Sequence, residues 1–159
     1  MTAPIDSGTS VMEASRSDFV TIRVAGQLLG LPVLAVHDVL NAQKITPIPV
    51  APSFVAGVLN LRGRIVTAID LRNRLGFPDR EEGEKSMSVV VEHKGEPYSL
   101  LIDSVGEVLS LENEEFEKNP VTLDPRWREI SVGIYRLDDE LLAVIDVKRL
   151  LDFEVAAAA

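Results

Sequence analysis

The chain has 159 residues, is 46% apolar and carries a formal net charge of -9, with an isoelectric point near 4.7. That excess of carboxylates opposes the phosphate neutralisation on which nucleic-acid binding depends, so nucleic acid is not the expected partner. The lack of cysteine excludes disulfides, thiolate metal sites and thiol nucleophiles, and no apolar run approaches the roughly 18 residues of a membrane span.

Residues 1 to about 16 mix small and polar types without period and are expected to form a disordered lead-in. They lack the basic start and apolar stretch of a secretory leader, so a cytoplasmic protein is expected. Phe19 to Val24 alternates as a strand does, Gly26-Gln27 makes a turn, and Leu28 to Leu31 begins the return strand. The valine spacing from Val33 to Leu40 suits helix and strand alike, and its β-branched content favours strand. Pro47, Pro49 and Pro52 then impose a stiff, extended surface segment that leads into Phe54 and Gly57. Val58-Leu59-Asn60-Leu61 and Ile65-Val66-Thr67-Ala68-Ile69 flank Arg62-Gly63, the pattern of a tight hairpin whose glycine supplies a positive φ. Asp70 caps a short predicted helix, Leu71 to Leu75, that stops at Gly76 with Pro78 beyond.

Residues 79–86 form a charged break, and beyond it the pattern returns. Ser88 to Glu92, the turn Lys94-Gly95-Glu96 and Tyr98 to Ile102 repeat the first hairpin, and Ile102 to Leu109 repeats the valine-rich stretch. Gly26, Val36, Asp38, Val39 and Leu40 correspond to Gly95, Val105, Glu107, Val108 and Leu109 at an offset of 69. Gly57, Ile65, Ile69, Asp70 and Leu75 correspond to Gly133, Leu141, Ile145, Asp146 and Leu151 at an offset of 76. The second copy therefore carries seven extra residues between its halves. They fall in the excursion Glu112 to Arg128, with Pro120, Pro125 and Trp127, which is expected to be a solvated acidic loop. The tail 152–159 is expected to prolong the last helix and then fray.

Many short strands, turn residues every eight to twelve positions and little helix predict a mostly-β protein of two small barrels. The expected division is lobe one at about 17–80 and lobe two at about 86–151, sharing an apolar interface, with exchange of strands between them left open.

Catalytic patterns are missing from the sequence. His37 and His93 are isolated, with no partner at metal-ligand spacing, and there is no phosphate loop, dinucleotide fingerprint or nucleophile elbow. Asp70 and Asp146 occupy equivalent places in two copies and read as helix caps. The two equivalent hairpin tips differ in charge: Arg62 and Arg64 project from the first, whereas the second reads Asp138-Asp139-Glu140. An arginine tip beside Val58 and Leu59 suits a docking edge, so residue chemistry points to a binding module.

The run Pro52-Ser53-Phe54-Val55-Ala56-Gly57-Val58-Leu59-Asn60-Leu61-Arg62-Gly63, followed by Ile65-Val66 and Ile69-Asp70-Leu71-Arg72, strongly resembles the CheW family of bacterial chemotaxis coupling proteins. Val105 to Leu109 and Asp146 to Leu151 extend the likeness from about Phe19 to Leu151. The resemblance implies two five-stranded SH3-like barrels on a shared apolar core, with a short helix after each repeat. It implies no enzymatic activity and no cofactor. The implied role is an adaptor between the cytoplasmic tips of chemoreceptors and the regulatory domain of the histidine kinase CheA, held at membrane-associated arrays without inserting into the membrane. Carried over by position, the contact residues are Val36, Asp38, Gly57, Val58, Asn60 and Arg62, while Gly63 serves the turn. This chain departs from the family pattern at Asp38, usually glutamate, and at Thr67, usually proline. A regulatory module of a larger kinase or coupler is the alternative in the same family. A small hydrolase using Asp70 or Asp146 with His37, and an oligonucleotide-binding barrel, are rivals from other classes.

Overall fold

Ten strands make up most of the chain: β1 (Arg16–Val24), β2 (Gln27–Pro32), β3 (Val36–Asn41), β4 (Val55–Leu61), β5 (Arg64–Asp70), β6 (Met87–His93), β7 (Glu96–Ile102), β8 (Ser104–Glu112), β9 (Ser131–Arg136) and β10 (Leu141–Ile145). Three short helices join them, α1 (Leu71–Arg74), α2 (Pro125–Ile130) and α3 (Val147–Leu151), together with 3₁₀ turns at Val33–Ala35 and Asn113–Glu115. This computed structural model describes residues 15–79, 81 and 86–152; nearly all of the expected lead-in, most of the charged break and the end of the tail lie outside the described residues.

The strands form two five-stranded sheets, ordered β8-β1-β2-β10-β9 and β3-β6-β7-β5-β4. The first takes β1 and β2 from one sequence copy and β8 to β10 from the other, and the second takes the complementary set. Connection length explains this arrangement. Only Val33–Ala35 separates β2 from β3, and only Asp103 separates β7 from β8, so the chain cannot double back and runs on into the other sheet. Antiparallel pairs dominate, and one parallel pair in each sheet, β10 with β2 and β5 with β7, joins strands from different copies.

Each sheet curls so that its inner strands are covered on both faces, while the edge strands β3 and β8 keep one face exposed. Inside the first, Phe19, Leu28, Tyr135, Leu142 and Val144 pack together, with the Phe19 and Tyr135 rings 5.6 Å apart. Inside the second the equivalents are smaller: Leu59, Val66 and Ala68. The outer faces meet in a shared core of Ile22, Leu29, Ile134 and Ile145 from the first sheet with Ile69, Val89, Leu100 and Ile102 from the second. Burial on both faces accounts for the near-continuous apolar run of β10, Leu-Leu-Ala-Val-Ile.

The duplication is visible in detail. Asp70 accepts from the backbone N–H groups of Arg72 and Asn73 to cap α1, and Asp146 accepts from those of Lys148 and Arg149 to cap α3. The backbone N–H of Asp70 donates to Phe54 O at 2.7 Å, and that of Asp146 to Ile130 O at 2.8 Å. Thr46 pairs with Val58 across the start of the first hairpin, and Glu117 pairs with Ile134 across the second. Both crossings require the repeated glycine. A Cβ on Gly57 would collide with the Thr46 carbonyl, and one on Gly133 with the Phe116 ring and the Glu117 carbonyl.

Three local expectations are corrected. β1 starts at Arg16, inside the expected lead-in, because β8 reaches far enough to pair Glu112 with Arg16, whose guanidinium also donates to Ser110. Val33–Ala35 forms a 3₁₀ turn, and the strand begins only at Val36. The acidic excursion is not solvated throughout: Asp124 caps α2 with Pro125 in its first turn, which directs Trp127 and Ile130 into the shared core. There the Trp127 ring meets Phe77 edge-on, 5.5 Å between centroids.

Candidate functional site

The β4–β5 tip is a two-residue turn in which both central residues are left-handed, Arg62 at φ 52° and Gly63 at φ 84°. This geometry matches the right-handed twist of the strands it joins. Asn60 stabilises the turn, its Oδ1 accepting from the Gly63 N–H at 2.9 Å. Arg62 is thereby held at the rim, where its Nη2 donates to Asp38 Oδ2 at 3.1 Å. Asp38 lies on β3 and Arg62 at the end of β4, the two edge strands of this sheet, so the ion pair spans the barrel's seam. The pair is solvated, with the Arg62 side chain 78% exposed, and is worth at most about 1 kcal/mol to folding. Its evident structural effect is to aim the guanidinium.

Beside the pair lies a groove of about 260 Å³, with Leu61, Val66, Val90 and Pro97 in its wall and His37, Arg64 and Glu92 around its rim. Of the seven residues singled out in the sequence, Asp38, Asn60, Arg62 and Gly63 meet at this tip. Val36 lies further along β3, opposite Val91 and packed against the shared core. Val58 is half-buried on β4 where the Thr46 crossing meets it, and Gly57 is buried beneath that crossing. Gly57 presents no side chain to a partner; its role at this place is to let the crossing chain pass.

Sequence reasoning missed a second groove, of about 570 Å³, at the matching seam of the other barrel. Carrying the duplication from Asp38 to Glu107 and from Arg62 to Asp138 finds it. There Arg23 grips Glu140 with two hydrogen bonds of 2.8 and 2.7 Å. Those bonds hold the Glu140 carboxyl below the usual carboxylate range and raise the Arg23 guanidinium above its ordinary value. Also unforeseen was the clasp between the barrels, in which Arg72 of α1 donates to both Asp103 carboxylate oxygens at 3.0 and 2.8 Å. Asp103 also accepts from the Ala25 N–H at 2.7 Å. The pair is mostly buried and its lone pairs are shared with backbone, which offsets the cost of desolvating it.

Asp70 and Asp146 are committed to helix caps. His37 is exposed on β3, and among the described residues no group of three or more His, Asp or Glu side chains is placed to hold a metal. Among the same residues, no helix is long and apolar enough to cross a membrane.

Comparison with known proteins agrees with this geometry. The chain is similar to the chemotaxis protein CheW of Rhizobium meliloti, 25% identical over 142 residues that cover 89% of this chain and 92% of the relative. It is similar to the chemotaxis protein CheW of Bacillus subtilis, 26% identical over 160 residues covering 100% and 97%. Among solved structures it resembles the scaffolding protein TtCheW of Thermoanaerobacter tengcongensis, with a TM-score of 0.77 and 32% identity over 87% of this chain and 94% of that one. Residues 18–155 match the family model described as the CheW-like domain, so with its paired barrels and arginine-tipped hairpin the chain belongs to the CheW-like family of chemotaxis scaffold proteins.

Proposed function

We propose that the chain is a non-enzymatic adaptor that couples the cytoplasmic tips of chemoreceptors to the histidine kinase CheA, in arrays at the inner face of the membrane. The observation that carries this reading is the Asp38–Arg62 pair at the β3–β4 seam, which holds an arginine beside a small groove with an apolar wall and a charged rim. Such an anchor suits a protein interface, in which a few central contacts carry most of the affinity. Val36 and Val58 lie half-buried on the same two edge strands, and Asp38 and Asn60 fix the arginine's approach. The kinase regulatory domain and the receptor tip are the two partners, and the adaptor's contribution is to hold them in fixed geometry.

The test is Arg62→Ala in an array rebuilt from receptor-bearing membranes, kinase and this protein. The substitution should weaken recruitment by roughly 2 kcal/mol, about 30-fold, and suppress receptor control of kinase activity. The melting temperature should be unchanged, because the lost ion pair is solvated. An array that responds to ligand as before would overturn the role assigned to Arg62.

A further inference from the structure

The three helices carry a charge opposite to that of the chain. Six of its sixteen lysines and arginines lie on them, Arg72 and Arg74 on α1, Arg126 and Arg128 on α2, Lys148 and Arg149 on α3, against one carboxylate, Glu129, apart from the capping aspartates. α2 touches both of its neighbours. The Arg126 guanidinium rests over Gly76 at the end of α1, Arg74 Nη1 lies 3.8 Å from Glu129 Oε2, and Arg149 Nη1 donates to Ser131 O at 3.5 Å, where α2 ends. The cations are therefore contiguous, and few of them are neutralised. Arg72 is matched by Asp103. Arg126 and Arg149 have only the capping aspartates Asp124 and Asp146, at 3.5 and 3.6 Å, and those carboxylates already accept from backbone N–H groups. Arg128 and Lys148 are exposed and make no ion pair among the described residues. Arg74 stacks on the Phe54 ring, and its buried Nε has no hydrogen-bond partner among the described residues.

We propose that the outer faces of these three helices are a docking surface for a short acidic segment of a partner protein. Its carboxylates pair with Arg126, Arg128, Lys148 and Arg149, and one replaces Glu129 beside Arg74. Charge decides the occupant. At about 0.1 M salt fields fade over about 10 Å, so a short segment lying on the helices responds to the local cations and not to the net charge of -9. A nucleic-acid duplex or a lipid bilayer extends past the patch onto carboxylate-rich surface and is repelled there. Three of the four exposed cations are arginines, whose planar guanidinium holds a carboxylate through paired hydrogen bonds and so fixes orientation as well as charge. β5 runs from Arg64 at the hairpin tip to Asp70 at the head of α1, which places this surface at the opposite end of the strand from Arg62 and makes it independent of the coupling seam.

The experiment is fluorescence anisotropy of a fluorescein-labelled oligoglutamate peptide titrated with the purified full chain at about 0.05 M and about 0.5 M salt. Binding should saturate at the lower salt and weaken at least about tenfold at the higher. R126E/R128E should weaken it at least about tenfold, and E129Q should strengthen it about threefold by removing the carboxylate that competes for Arg74. R62E/R64E changes the net charge by the same amount at the far hairpin tip and should bind within about twofold of the native chain. Melts followed by Trp127 fluorescence show whether R126E/R128E is folded; if it is not, K148E/R149E, altered only at exposed side chains of α3, carries the same expectation. No binding at low salt, equal losses from the helix and tip reversals, or a labelled DNA duplex or phosphatidylserine vesicle bound as tightly as the peptide would each overturn the proposal. Neither kinase nor receptor is present, so the result is independent of the coupling assay.

Discussion

Single residues in this chain do different work according to what lies over them, and the glycines of the first hairpin show it. Gly57 is roofed by the Thr46 carbonyl, whereas open space surrounds the position a Cβ would take on Gly63. Gly57→Ala should therefore cost roughly 3 kcal/mol, through collision and a positive φ together. Gly63→Ala meets only the cost of the left-handed turn, about 1 kcal/mol. Denaturant midpoints of the two variants check the difference, and equal losses would refute the reading of Gly57 as a crossing point. The Arg23–Glu140 pair yields a second prediction at this scale. Because hydrogen bonds from Arg23 lower the folded Glu140 value, the pair's contribution is complete above Glu140's ordinary value and is lost as pH falls through the folded one. Arg23→Gln should thus lower the melting temperature most at about pH 6 and progressively less as pH falls through the folded Glu140 value, as thermal melts across that range will show. The caps at Asp70 and Asp146 and the turn at Arg62-Gly63 were legible in the sequence, because each is set by residues within three positions. The Asp38–Arg62, Arg23–Glu140 and Arg72–Asp103 pairs were not, because their partners lie 24, 117 and 31 positions apart.

At the level of elements, hairpins were easy to find and their neighbours were not. Turn chemistry is local, so β1–β2, β4–β5 and β6–β7 all stand where alternation and glycine put them. Which strand lies beside which depends on how few residues separate β2 from β3 and β7 from β8, a matter of chain reach rather than pattern. The element most misread was α2. Its flanks are acidic and rich in proline, so it looked like loop, yet one tryptophan and one isoleucine turn inward. Trp127→Ala should cost about 3 to 5 kcal/mol, the usual range for emptying a buried aromatic site. Equilibrium unfolding measures it, and a loss under about 1 kcal/mol would return α2 to the surface. By contrast, the hydroxyls of Ser88 and Ser99 are buried in β6 and β7 with no hydrogen-bond partner among the described residues, where Phe19 and Gly30 stand in the other copy. The structure shows no compensating contact for them.

For the molecule as a whole, exchange of strands means that neither sequence copy contains a complete barrel. The shared core draws on both sheets and all three helices. Unfolding should therefore be a single transition, with tryptophan fluorescence, which reports on Trp127, and far-ultraviolet circular dichroism falling together. A chain ending at residue 80 should not fold by itself; two separated transitions, or a folded half, would show that the barrels are independent. The mostly-β class, the duplication and the family likeness were all readable beforehand, because they rest on composition and on motifs contiguous in the chain. The acidic groove was not, since its walls come from β1, β2, β8, β9 and the β9–β10 turn and meet only after folding.

The near-continuous runs from β2 into β3 and from β7 into β8 have a mechanical consequence. A displacement imposed at one rim passes to the far rim along two covalent backbones braced by the Arg72–Asp103 clasp, with no hinge between. On that basis the molecule should act as a short strut, keeping whatever grips its two ends at constant spacing.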